Sequence, residues 1–154
     1  MTRGAPVLLA QGSPARRALR VLVTSTVSDA HTWNLVFLQL LLEEQGHHVH
    51  NLGCCVPAEL LVAEVRAYRP ELILVSSING HGYVDGLALM RRLRTQFGRN
   101  VPRAVIGGKL GTDGAFDASR IQDLLSAGFD AVFDEGAPAG SLRAYTDSMA
   151  VEMG

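Results

Sequence analysis

The chain has 154 residues, 47% of them apolar and 19% charged, with a formal charge of −1. That is enough apolar material for one domain with a buried core, and it argues against intrinsic disorder. No block of Lys or Arg is large enough to cover a face, which speaks against a nucleic-acid surface.

Residues 1–19 carry Gly4, Pro6, Gly12, Ser13 and Pro14 and read as a flexible leader, with residues 20–154 as the folded domain. Its apolar run Val7 to Ala10 is too short for a membrane span and lacks the flanks of a signal peptide. A first strand is predicted at Arg20 to Thr26. A polar turn then leads into a very apolar helix from Trp33 to about Gln45, closed by Gly46. A more polar strand follows at His48 to Leu52. The neighbours Cys54 and Cys55 are too close for an unstrained disulfide and match no zinc spacing, in keeping with a reducing compartment and a cytoplasmic protein. Pro57 opens a second helix with Leu61, Val65 and Tyr68 on one face.

The third strand, Glu71 to Ser76, is almost continuously apolar, as a central parallel strand covered on both sides should be. A loop from Ser77 to Tyr83 precedes a helix with Leu89, Met90, Leu93 and Phe97 inward. A fourth strand at Arg103 to Ile106 ends in Gly107-Gly108. The next helix carries Ile121, Leu124 and Leu125 and stops at Gly128. A short strand at Ala131 to Phe133 and a helix through Leu142, Tyr145 and Met149 complete the chain. Strict strand–helix alternation implies an α/β, doubly wound parallel sheet. The polar second strand and short fifth strand suit the edges, which gives the flavodoxin-like (Rossmann-like) order 2-1-3-4-5.

In such a fold ligands bind beyond the carboxyl ends of the strands, where the strand order reverses. The loops expected there hold Ser28-Asp29-Ala30-His31-Thr32, then Ser76-Ser77-Ile78-Asn79-Gly80-His81-Gly82, then Gly107-Gly108-Lys109. A neutral imidazole can ligate a metal through one nitrogen while the other donates to a carboxylate, the arrangement an Asp29–His31 pair could make. The same residues have a plainer reading, with Asp29 or Thr32 capping the next helix and His31 solvated. Ser76 and Ser77 either satisfy frayed backbone or point a hydroxyl at a ligand. The glycines either serve turns or let a bulky ligand approach the backbone. Gly107-Gly108-Lys109-Leu110 lacks the spacing and the Ser or Thr of a phosphate loop. Among His47, His48 and His50, the same-face pair His48/His50 has no carboxylate in the sequence beside it. His81 reads as a solvated loop residue, and Trp33 and Phe37 as core.

Taken in order, the three loops resemble those of the small, cobalamin-binding subunit of glutamate mutase (methylaspartate mutase). That family carries Asp-x-His-x-x-Gly after strand one, Ser-x-Leu after strand three and Gly-Gly after strand four. Here the corresponding residues are Asp29-Ala30-His31-Thr32-Trp33-Asn34, Ser76-Ser77-Ile78 and Gly107-Gly108, within a resemblance from about Val21 to Gly136. Asn34 stands in place of the glycine and Ile78 in place of the leucine.

The resemblance implies a cobalamin-binding domain with adenosylcobalamin (cobalt) as cofactor, held base-off. His31 would be the lower axial ligand, with Asp29 orienting it. The displaced nucleotide tail would lie in a slot where Ser76 bonds to it and Ile78, Gly107 and Gly108 shape the walls. Ser28, Ala30, Thr32, Asn34, Asn79 and Gly80 complete the expected contacts. The implied activity is an isomerase converting glutamate to 3-methylaspartate by radical chemistry, inactive without a large barrel-type subunit that binds substrate. Two alternatives remain: a non-catalytic cobalamin carrier or sensor, and a flavodoxin- or receiver-like domain without cobalt. A carrier would want a helical cap that residues 1–19 are too short and too rich in Gly and Pro to form. A receiver would want an acidic phosphoacceptor after strand three, where Ser76-Ser77 stands.

Overall fold

The computed structural model describes residues 16–112, 118–135, 137–138 and 140–152. The first fifteen residues of the expected leader, and Gly136, lie outside them. Five parallel strands form one sheet in the order β2-β1-β3-β4-β5, the order expected from the sequence. The strands are β1 (Arg20–Ser25), β2 (His48–Asn51), β3 (Leu72–Ser76), β4 (Arg103–Gly108) and β5 (Ala131–Asp134). Between and after them run α1 (Trp33–Glu44), α2 (Ala58–Tyr68), α3 (Gly82–Phe97), α4 (Ala118–Ala127) and α5 (Ser141–Glu152). Among the described residues no helix is long and apolar enough to cross a membrane.

Because side chains alternate along a strand, each strand feeds two cores. Leu22, Ile73, Val75, Ala104 and Ile106 point to the face covered by α2, α3 and α4, where they meet Leu61, Val65, Met90, Leu93 and Leu124. Val21, Val23, Leu72, Leu74 and Val105 point to the other face, against Leu35 and Leu42 of α1 and Met149 of α5. Leu19 belongs to this second core and is fully buried, with its N–H donating to His47 Nδ1 at 3.1 Å. The backbone N–H of Arg17 also reaches Ala150 O at 3.3 Å. Packing therefore begins before Arg20, because an apolar side chain entering the sheet's lower edge has a core to fill.

Register places Ser25, Ser76, Gly107 and Phe133 in one row across the carboxyl end of the sheet. Parity puts that row on the α1/α5 face, the side of Leu72 and Leu74. Three of its four members are Ser or Gly, so the core on that face stops short of the strand ends. A large aliphatic side chain fully buried there would stabilise the fold by about 1.5–3 kcal/mol, which small residues forgo.

Trp33 and Phe37, expected in the core, are 84% and 65% exposed. Only Leu35 and Leu42 of α1 are buried, with Leu38 partly buried against the same core, so the helix uses a narrow stripe against the sheet and leaves Trp33, Val36, Phe37 and Leu40 exposed.

Candidate functional site

Asp29 lies in the turn after β1 and is 0% exposed. Both of its carboxylate oxygens are in use. Oδ1 accepts from the backbone N–H of His31 at 3.0 Å and meets His31 Nδ1 at 2.7 Å. Oδ2 accepts from the backbone N–H of Ile78 at 2.6 Å and of Asn79 at 3.2 Å, tying the loop after β1 to the loop after β3. Burial on its own would raise the Asp29 carboxyl, but these hydrogen bonds, led by the N–H groups of His31 and Ile78, outweigh it and hold the group below its ordinary value.

The capping alternative does not hold. Thr32 is the N-cap residue of α1 and makes no side-chain cap bond, and the oxygens of Asp29 go to His31 and the β3 loop. An ionised carboxylate can only accept, so Nδ1 of His31 carries a proton and, in the neutral ring, Nε2 has the lone pair. The His31 side chain is 55% exposed, which leaves that lone pair accessible. The pair is thus an oriented, solvent-facing nitrogen base fixed to a buried anion.

Around it, Ser28 Oγ donates to Asp85 Oδ2 at 2.5 Å, and Asn79 Nδ2 donates to Ser28 Oγ and O at 3.0 and 3.1 Å. Ala30 and Thr32 are exposed on the rim. Gly80 has φ +91°, and a Cβ there would lie 2.5 Å from Thr112 Cγ2, so the chain's own packing accounts for this glycine. Gly108, at φ +111°, lets β4 approach Ser77 O, which a Cβ would meet at 2.2 Å. His81 is exposed at the start of α3 and makes no side-chain cap bond.

Beside this rim a cavity of about 620 Å³ opens between α1, α5 and the carboxyl ends of β3, β4 and β5, within the range of roughly 300–1,000 Å³ usual for small-molecule sites. Of the expected residues, Asn34, Ser76, Ile78, Gly107 and Gly108 line it, whereas Ser28, Asp29, Ala30, His31, Thr32, Asn79 and Gly80 do not. Ser77 falls on the opposite parity, and its hydroxyl bonds to Asn79 Oδ1 at 3.2 Å. Phe37, Leu38 and Leu41 of α1, Phe133 of β5 and Leu142 of α5 supply most of the apolar wall, and the sequence reading did not include them. Asn34 Nδ2 donates to Ser76 Oγ at 2.6 Å across the mouth of this space. Asn34 Oδ1 is buried and has no hydrogen-bond partner.

His50 Nε2 meets Glu64 Oε2 of α2 at 3.0 Å, a carboxylate brought in by the fold rather than the local sequence. Among the described residues, no group of three or more His, Cys, Asp or Glu side chains is arranged to hold a metal ion.

A flavodoxin-like sheet with an Asp-supported histidine at its switch point and an apolar slot alongside defines a B12-binding type of domain. The family described as B12 binding domain matches residues 19–141. The glutamate mutase sigma subunit of Carboxydothermus hydrogenoformans is 31% identical over 124 residues, covering 79% of this chain and 89% of that one. The chain belongs to the family of glutamate mutase sigma subunits, within the B12-binding domains.

Solved structures agree on the fold. The monomethylamine corrinoid protein of Methanosarcina barkeri superposes with a TM-score of 0.64 at 20% identity, over 88% of this chain and 57% of that one. A LuxR-family response regulator from Aurantimonas superposes with a TM-score of 0.66 at 14% identity, over 88% and 87%. At such identities the likeness speaks for architecture alone, and the choice between them falls to the site.

Proposed function

We propose that the chain is the cobalamin-binding subunit of an adenosylcobalamin-dependent carbon-skeleton mutase of the glutamate-to-3-methylaspartate type. In this reading His31 is the lower axial ligand to cobalt and the cofactor is held base-off. The observation that carries it is the Asp29–His31 pair at 2.7 Å, standing on a buried carboxylate that four donors fix in position. A lone histidine suits a metal that brings its other ligands in a macrocycle. The cavity beside it, walled largely by apolar side chains with Asn34, Ser76, Asp134, Ser141 and Arg143 as its polar members, suits the displaced nucleotide tail.

When bound, adenosylcobalamin supplies a cobalt–carbon bond whose homolysis starts radical chemistry on the substrate. The chain's own contribution is to hold and shield. Asp29 keeps the proton on His31 Nδ1, so Nε2 stays available as a donor to the metal. Ser76, Ile78, Gly107 and Gly108 bound the slot for the tail. In this reading the substrate is bound by a separate subunit of the barrel type, without which the chain does not turn over.

The test is the visible spectrum of cobalamin mixed with the purified protein. The unsubstituted chain should bind it and shift its spectrum to the base-off, histidine-ligated form. His31→Ala should change that spectrum and weaken binding, whereas His47→Ala should do neither. An unchanged spectrum with His31→Ala overturns the assignment.

A further inference from the structure

Of the eight large apolar side chains exposed among the described residues, four share the outward side of α1. Trp33, Val36, Phe37 and Leu40 are 84%, 40%, 65% and 60% exposed and recur at helical spacing, opposite the buried Leu35 and Leu42. Only Phe37 of the four borders the cavity, so a ligand in that space leaves Trp33, Val36 and Leu40 uncovered. From their fractional exposure the four side chains present roughly 500 Å² to water, in the range of roughly 300–600 Å² where the largest apolar patch of a monomer is often functional. Trp33, Phe37, Leu40 and Glu44 follow one another by four, three and four residues, the steps of a helix-pairing seam.

The charges of α1 select the occupant. Its first turn has no acidic residue and Thr32 makes no side-chain cap bond, whereas its last turn has no basic residue and ends in the exposed Glu43 and Glu44. Carboxylates there meet the negative end of the helix dipole, while the positive end has no anion beside it. Both ends are the wrong way round for a helix alone. A second α1 laid antiparallel on the first corrects both, because Glu43 and Glu44 of each copy come beside the N-terminal turn of the other.

We infer that this chain pairs with a second copy of itself through α1, antiparallel about a two-fold axis that passes between Phe37 and Leu40. One self-complementary face is all that such symmetry needs. Pairing the two faces removes roughly 1,000 Å² of apolar surface from water, and the helix ends bring the total towards the roughly 1,200–2,000 Å² of a specific interface. The inference uses neither His31 nor the contents of the cavity, so it stands or falls apart from the proposed function.

Sedimentation velocity of the full chain across the micromolar range tests it. The chain should run as a monomer when dilute and as a dimer when concentrated. Trp33 is the only tryptophan, so its emission reports on this face and should move to the blue over the same concentrations. Leu40→Glu should stay monomeric throughout, and Trp33→Gln, at the most exposed of the four positions, is the second variant should the first fail to fold. Exchanging both Glu43 and Glu44 for lysine should weaken pairing about tenfold without lowering the melting temperature of the dilute chain, since basic residues suit that end of a helix.

A monomer at every concentration overturns the inference, as does a dimer that Leu40→Glu and Trp33→Gln leave intact. Blue emission from a monomer, independent of concentration, also overturns it and assigns the face to the chain's own apolar run Val7 to Ala10. Pairing that the two lysines leave unchanged or tighten overturns the antiparallel arrangement.

Discussion

Replacing Asp29 by asparagine keeps the shape of the side chain and removes half of its capacity to accept. In the native protein Oδ1 serves the backbone N–H and the ring of His31, and Oδ2 serves the N–H groups of Ile78 and Asn79. An amide has one accepting oxygen, so its NH2 group faces two N–H donors whichever way it turns. A hydrogen bond to an ionised acceptor contributes about 1.5–3 kcal/mol, and a buried donor left unpaired costs about 1–3 kcal/mol. The His31 side chain is half exposed and its ring can change tautomer, so the NH2 group turns that way. The resulting loss is about 2–4 kcal/mol. For a domain of this size each kcal/mol moves the midpoint by roughly 2–4 °C, so Asp29→Asn should melt about 5–15 °C below the unsubstituted chain. Its effect on the metal site follows from the same swap. Facing an NH2 donor, Nδ1 of His31 must accept, which moves the ring proton to Nε2 and removes the lone pair meant for cobalt. Cobalamin affinity should therefore fall although His31 is intact. Thermal melting of the cofactor-free protein and an absorbance titration measure the two effects. Glu44→Gln, at the exposed end of α1 away from the rim, is the control and should change neither by much. A midpoint for Asp29→Asn within about 2 °C of the unsubstituted chain would refute the claim that this carboxylate holds the two loops together.

Two further outcomes follow from the structure. His47 is 6% exposed, and burial pushes its pKa down, with Asp147 opposing and Arg16 and His48 assisting. Its neutral ring accepts the Leu19 N–H, so stability is full above the unfolded value near 6.5 and is lost as pH falls through the lower folded value. Melting curves from pH 7.5 to 5 should show this loss, His47→Gln should flatten it, and an equally steep limb in that variant would remove His47 as the cause. Gly108→Ala drives a Cβ to 2.2 Å from Ser77 O at φ +111°, whereas Gly46→Ala at φ +96° meets nothing within 4 Å. In urea the first should cost about 3 kcal/mol or more and the second about 1 kcal/mol, the backbone strain alone; equal costs would contradict the close approach of β4 to the β3 loop.

The sheet was legible because its signals are local. Continuous apolarity of β3, polarity of β2 and shortness of β5 each report burial from neighbouring residues only. The ends of elements were less so. Leu19 looks like part of a Gly- and Pro-rich leader, and only the return of α5 and the loop bearing His47 gives it a core to enter. The Asp29–His31 pair was legible as a pair, but not as a choice between cap and ligand. That choice depends on where Oδ2 goes, and Oδ2 goes to Ile78 and Asn79, about fifty residues away. The distinction between Ser76 and Ser77 was, by contrast, available from parity. Leu72, Leu74 and Ser76 share one face, so one serine had to line the α1/α5 side and the other had to face α3.

The clearest signal that went unread lies in α1. Of its first ten residues, Trp33, Leu35, Val36, Phe37, Leu38, Leu40, Leu41 and Leu42 are apolar, more than one helix can bury against one sheet. An amphipathic helix covering a sheet needs only a stripe, and in the fold Leu35 and Leu42 supply most of it. Two of these residues, Trp33 and Phe37, read from the sequence as core. The surplus has another cause here: Phe37, Leu38 and Leu41 face a cavity kept open by Ser76 and Gly107 on the strands opposite. Small residues at strand ends and too many large ones on the facing helix are two halves of one feature. Together they mark the space between α1 and the sheet as a place for something other than the chain itself.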